Sequence, residues 1–252
     1  FNSCLEKRKI PRRWKKADLI LLEKEDGTFR PISLLSTIFK CFESILSNRL
    51  AYVLETKLAE KFRTQYGCRG NKSTAQVIAQ AMEIIKQTRQ VRGISMVTAL
   101  DFRKCYDTVN PYILADKICH LTGNRQFTEL ILSMTTSRRI RCVSRDFASD
   151  TLVCDLGIPQ GSRIACILFL CFSFDLFKDL DLKPPAVSAP SPKRQPRHHT
   201  KAFQYADDSN IFTFGRKLVA VLNRQRLSVD AIMSWCHDMS SCRDMPSCHD
   251  MY

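Results

Sequence analysis

The sequence predicts an α+β fold, and three stretches carry that expectation. Residues 36–62 place Ile38, Phe39, Phe42, Ile45, Leu46, Leu50, Val53, Leu54 and Leu58 on one face at three- and four-residue steps, the period of an amphipathic helix. "ISMVTALDF" (94–102) is short and mostly apolar, as a buried strand is. "FQYADDSNIFTF" (203–214) alternates apolar and polar residues on either side of a polar break, the pattern of a β-hairpin.

The remaining elements follow from the same rules. A second helix starts near Asn71 or Ser73, either of which can cap it, runs through Val77, Ile78, Ala81, Met82, Ile84 and Ile85, and is stopped by Gly93. Residues 112–136 read as mostly helical, and 138–156 as a hairpin with "RIRCVS" as one arm. "RIACILFLCFSFDLF" (163–177) is apolar on nearly every face, which predicts a deeply packed helix. Residues 183–201 hold five prolines, five basic side chains and no acid, so they read as a stiff basic linker or insertion. In the tail, "CHDM", "CRDM" and "CHDM" recur at Cys236, Cys242 and Cys248. That spacing matches no familiar zinc finger, and a translated simple repeat is the expectation.

Composition narrows the class. With 252 residues and 44% hydrophobic content, the chain can bury a large core. No run is long enough to span a membrane and no signal segment is visible, which predicts an intracellular protein of nucleus or cytoplasm rather than a secreted one. The chain begins at Phe1, as a fragment would. Twelve cysteines without a secretory signal predict buried, reduced thiols. The net charge is +14, with +6 in residues 1–16 and +5 in 183–201 around a nearly balanced centre. Basic flanks point to a polyanion, and nucleic acid fits better than a membrane surface because neither flank has an apolar helical face.

Asp207 and Asp208 stand side by side at the hairpin tip, and Asp101 closes the "ISMVTAL" strand. Two adjacent aspartates are compatible with a solvated turn, and Asp101 with a strand end in water. If the strands share a sheet, the three carboxylates converge, and divalent cations would relieve their mutual repulsion. Two such ions clamp the attacking and leaving oxygens of a phosphoryl displacement.

"ALDFRKCYDTV" (99–109), "GIPQGS" (157–162) and "QYADD" (204–208) resemble, in order, three palm motifs of reverse transcriptases. "WKKADLILLEKEDGTFRPISLLS" (14–36) and "QYGCRGNKST" (65–74) resemble the fingers of the non-LTR, LINE-type retrotransposon enzymes. The resemblance covers residues 1 to about 236. It implies a right-hand polymerase: a fingers-like region at 1–92, a palm in two parts at 93–182 and 202–236, the linker at 183–201, a repeat tail at 237–252, and no thumb. The palm sheet is expected to be antiparallel and backed by helices.

The resemblance also assigns roles. Asp101, Asp207 and Asp208 are the catalytic acids, holding magnesium, or manganese in its place, together with the backbone carbonyl of Phe102. Tyr106 would set its ring against the sugar and reject a ribose 2′-hydroxyl, although an aromatic there also suits core packing. Arg30 and Lys24 match residues that hold the triphosphate, with a solvated lysine the alternative at 24. Gln160 and Gly161 line the nucleotide pocket. Arg69 would contact the template backbone or is an ordinary surface residue. The implied partners are an RNA template, a DNA primer and deoxynucleoside triphosphates, with no membrane. Three departures stand out: Cys68 where an aromatic is usual, Ala165–Cys166 where a small residue and proline are usual, and no downstream lysine to protonate pyrophosphate.

Overall fold

The computed structural model describes residues 1–180 and 198–241. Chain order is α1 (Asn2–Lys7), β1 (Lys16–Glu23), β2 (Phe29–Leu35), α2 (Thr37–Thr56), α3 (Thr74–Gln90), β3 (Ile94–Leu100) and α4 (Pro111–Thr122). It continues with α5 (Arg125–Thr135), β4 (Arg138–Cys142), β5 (Leu152–Cys154), α6 (Ala165–Ser173), β6 (His198–Tyr205), β7 (Asp208–Gly215) and α7 (Leu218–Ser241). The α+β expectation is met. Two compact units form, each from discontinuous segments: Phe1–Ala59 with Lys104–Ser173, and Glu60–Arg103 with Phe174–Met239.

The first unit is built on a sheet of order β2-β1-β4-β5. β1 and β2 form an antiparallel hairpin, β1 pairs parallel with β4, and β4 pairs antiparallel with β5, as the 138–156 reading expected. Asp18 accepts two hydrogen bonds from Arg141, its register partner across β1 and β4. That contact holds the Asp18 carboxyl below its ordinary range. α6 is as apolar as predicted, and every residue in it except Cys166 is buried. Leu114 and Ile118 of α4 and Ile131 of α5 are fully buried with it.

Two helical readings need correction. The helix expected over 36–62 ends at Thr56, and Ala59–Phe62 is a separate 3-10 turn. The stretch 112–136 is two helices, because Gly123 adopts the left-handed conformation (φ 63) and closes α4. Asn124 then caps α5 through its side-chain oxygen.

The second unit is an antiparallel sheet of order β3-β7-β6 with helices on both faces. On one face, Phe203, Phe212 and Phe214 pack with Tyr66 and with Val77, Ala81 and Ile84 of α3. Alternation puts Ile211 on the opposite face, where Gln225 of α7 donates to Thr98 and to the Ile211 carbonyl. Ser73 caps α3 in a reciprocal capping box with Gln76, which settles the choice between Asn71 and Ser73.

β6 begins at His198, inside the stretch read as linker; residues 183–197 of that stretch lie outside the described residues. The first tail repeat, Cys236–Met239, belongs to α7, and Cys242 and Cys248 lie outside the described residues. Eight described cysteines carry free thiols. Cys68 and Cys166 are disulfide-bonded, contrary to the expectation of reduced thiols. Among the described residues, no helix is long and apolar enough to cross a membrane.

Candidate active site

The acids belong to the second unit. β6 and β7 pair from His198↔Gly215 to Tyr205↔Asp208, which leaves Ala206 and Asp207 as a two-residue turn. Asp208 therefore starts β7 rather than sharing the tip. Leu100, the last residue of β3, pairs with Ser209, so Asp101 and Asp208 are the next positions outward on neighbouring strands. Asp101 and Asp208 are exposed and Asp207 is half-buried. One end of one sheet thus carries all three. Among the described residues, no three His, Cys, Asp or Glu side chains are grouped closely enough to hold a metal ion. Their donor chemistry, carboxylate oxygens only, suits a hard divalent cation. Phe102, next to Asp101, sets its ring edge-on against Trp235 at 6.4 Å.

Arg69 lies in the same unit. Its guanidinium donates to the carbonyls of Phe62 and Gln65, tying together the loop it stands on.

The other predicted residues belong to the first unit. Lys24 and Arg30 sit on the β1–β2 hairpin, both exposed, with Arg30 opposite Leu22. Gln160 and Gly161 form a turn fastened at three points. Ser33 N–H of β2 donates to the Gln160 carbonyl at 2.7 Å. Gln160 Nε2 donates to the Asp107 carboxylate at 3.3 Å. Glu43 of α2 accepts from Ser162 Oγ at 2.6 Å and from Arg163 N–H at 3.0 Å. Burial pushes the Glu43 carboxyl up, and those hydrogen bonds pull it back in part. Gly161 has φ +111, and a Cβ there would stand 2.6 Å from the Ser33 carbonyl oxygen. Tyr106 is half-buried against Phe169 with centroids 4.9 Å apart.

Several residues that build these sites carried no sequence signal of their role. Glu43 is one of several polar positions on α2, and Asp107 follows Tyr106, so neither stands out in the sequence. Gln65 and Gly67 were inside a recognised motif, but nothing in it said that they contact the hairpin turn.

A three-stranded antiparallel sheet bearing acids at one end, and a separate unit with a β-hairpin and a glycine-containing turn, are consistent with the palm and fingers of a polymerase. A family model described as reverse transcriptase (RNA-dependent DNA polymerase) matches residues 22–240, and the chain belongs to that family. It is 24% identical over 246 residues to the RNA-directed DNA polymerase from mobile element jockey of Drosophila melanogaster, covering 94% of this chain and 25% of that protein. It is 26% identical over 183 residues to the probable RNA-directed DNA polymerase from transposon BS of the same organism, covering 70% of this chain and 20% of that protein. The chain thus spans about a quarter or less of these relatives. Among solved structures, telomerase from Candida tropicalis with a fragment of telomeric RNA superposes with a TM-score of 0.60 at 12% identity, over 90% of this chain and 40% of that one. At that identity the likeness shows the fold.

Proposed function

We propose that the chain is the fingers-and-palm part of an RNA-directed DNA polymerase of a non-LTR retrotransposon, adding deoxynucleotides to a primer 3′-hydroxyl. The observation that carries the reading is the β3–β7–β6 register, which sets Asp101 next to the strand that begins with Asp208. Asp101, Asp207, Asp208 and the Phe102 carbonyl would hold magnesium or manganese. When bound, paired ions activate the hydroxyl and steady the departing pyrophosphate.

The protein's own groups do the rest. Lys24 and Arg30 attract the triphosphate, Arg30 through a bidentate fork. Gly161 lets backbone approach the nucleotide closely, Gln160 hydrogen-bonds the nucleotide or template, and the Tyr106 ring excludes a 2′-hydroxyl. The net charge of +14 favours a polyanion, read from the family as an RNA template paired with a DNA primer, with Arg69 near the template, inside a cell rather than outside it. Primer extension on an RNA template tests this reading. Equal extension by wild type and Asp207→Ala sinks it.

One observation favours a second reading, a remnant that binds nucleic acid without chemistry: among the described residues, the acids are not drawn into a metal-holding group. Binding to a template–primer duplex in a gel shift, with no primer extension, selects that reading.

A further inference from the structure

The Ala206–Asp207 turn is held in a conformation its own residues do not favour. Ala206 has φ 56, a left-handed conformation disfavoured for a residue with a Cβ. Its N–H and carbonyl lie beyond the last paired residues of the hairpin, Tyr205 and Asp208. A two-residue hairpin turn ordinarily leaves such groups to water.

Here one side chain takes both. Gln65, only 3% exposed, accepts from the Ala206 N–H through Oε1 at 3.0 Å and donates through Nε2 to the Ala206 carbonyl at 3.1 Å. The same Oε1 accepts from Gly67 N–H at 2.8 Å. The backbone beside it extends the sheet. Gln204 N–H donates to the Thr64 carbonyl at 2.8 Å, and Tyr66 N–H donates to the Gln204 carbonyl at 2.7 Å. Gly67 completes the contact by lacking a side chain, since a Cβ there would stand 2.1 Å from the Ala206 nitrogen. Tyr66 anchors the strap from below, with its ring 6.0 Å from that of Phe203 and its hydroxyl accepting from Gln80.

We propose that Gln65 is a positioning residue, which with Gly67 clamps the Ala206 backbone and so fixes where the Asp207 carboxylate is presented to its cation. This inference rests on the metal-binding reading above. Its chemistry resembles that of a partner that hydrogen-bonds a ligating residue, with the backbone of Ala206 as the link to Asp207. Changes to such partners typically weaken metal binding about 10- to 100-fold.

The test needs no turnover. Amide exchange in the wild-type chain is read first, because the clamp requires a protected Ala206 N–H; exchange there at an open-loop rate overturns the proposal. Mn2+ binding is then titrated by electron paramagnetic resonance in wild type, Asp207→Asn, Gln65→Met and Gly67→Ala. The last two changes are neutral and reach Ala206 through different atoms. The expected result is loss of binding in Asp207→Asn and about a tenfold or greater weakening in either clamp variant that retains the wild-type far-ultraviolet spectrum, with faster Ala206 exchange. Loss in Asp207→Asn with wild-type affinity in both clamp variants overturns the clamp alone. Mn2+ binding indifferent to Asp207→Asn removes the metal reading itself, and this inference goes with it.

Discussion

Alanine at Gly161 is the sharpest available probe of how the Gln160–Gly161 turn is held. Two costs add there. With φ at +111, a residue bearing a Cβ is strained, by about 1–3 kcal/mol at such sparsely populated angles. The new Cβ would also stand 2.6 Å from the Ser33 carbonyl oxygen. Both are backbone-anchored, so relief means lifting the turn from β2 and losing the Ser33–Gln160 hydrogen bond, about 1 kcal/mol more. The expected loss is about 2–4 kcal/mol, read as a lower urea midpoint at unchanged slope. Two controls separate the terms. Gly27 has φ +76 but open space around it, so Gly27→Ala carries conformational strain alone, about 1 kcal/mol. Gly70 has neither a positive φ nor a neighbour within 4 Å, so Gly70→Ala stays within about 0.5 kcal/mol of wild type or gains slightly. If Gly161→Ala costs no more than Gly27→Ala, the turn is not wedged on Ser33 and the argument fails.

Glu43→Gln should stabilise the chain at neutral pH, because burial raises the Glu43 carboxyl above its ordinary 4.5 and so makes its ionised form costly to fold. A raised carboxyl favours the fold below the ordinary value and loses that advantage as pH rises, so the gap in urea midpoint between variant and wild type should open with rising pH. A gap that widens toward acid contradicts the assignment. Asn110→Ala removes an acceptor for the N–H groups of Tyr112 and Ile113 at the start of α4 and should cost about 1–2 kcal/mol in the same assay. Phe212→Ala, in the sheet core against α3, should cost about 3–5 kcal/mol. In an extension assay, Tyr106→Ala should lower the preference for deoxy- over ribonucleotides, and an unchanged ratio would leave Tyr106 a packing residue against Phe169.

What the sequence made legible depended on distance along the chain. Helix α6, buried at every position except Cys166, announced itself through composition alone. The Gly123–Asn124 break was written locally as a helix stop followed by a cap, yet the apolar periodicity continuing across it masked the signal. The end of α2 at Thr56 had no local marker at all, since Lys57 keeps right-handed helical angles and no glycine or proline stands nearby. The parallel pairing of β1 with β4 joins residues more than 120 positions apart, as in Ala17↔Ile140. Alternation within either strand cannot name its partner.

The candidate site divides along the same line. Asp101, Asp207 and Asp208 were readable because carboxylates near solvent leave a plain mark on an otherwise apolar pattern. What holds them was not readable, for a physical reason. Acids that must meet a soluble ligand cannot be fixed by burying themselves, so their placement falls to the backbone that carries them. In "YADD" that backbone passes through Ala206, a poor choice for a positive φ when judged by propensity alone. A glycine would adopt the angle freely, and for that reason would not hold it. An alanine held there by bonds from Gln65, 141 residues earlier, keeps an angle that its own propensity disfavours, and no local pattern in the hairpin names the residue that supplies those bonds.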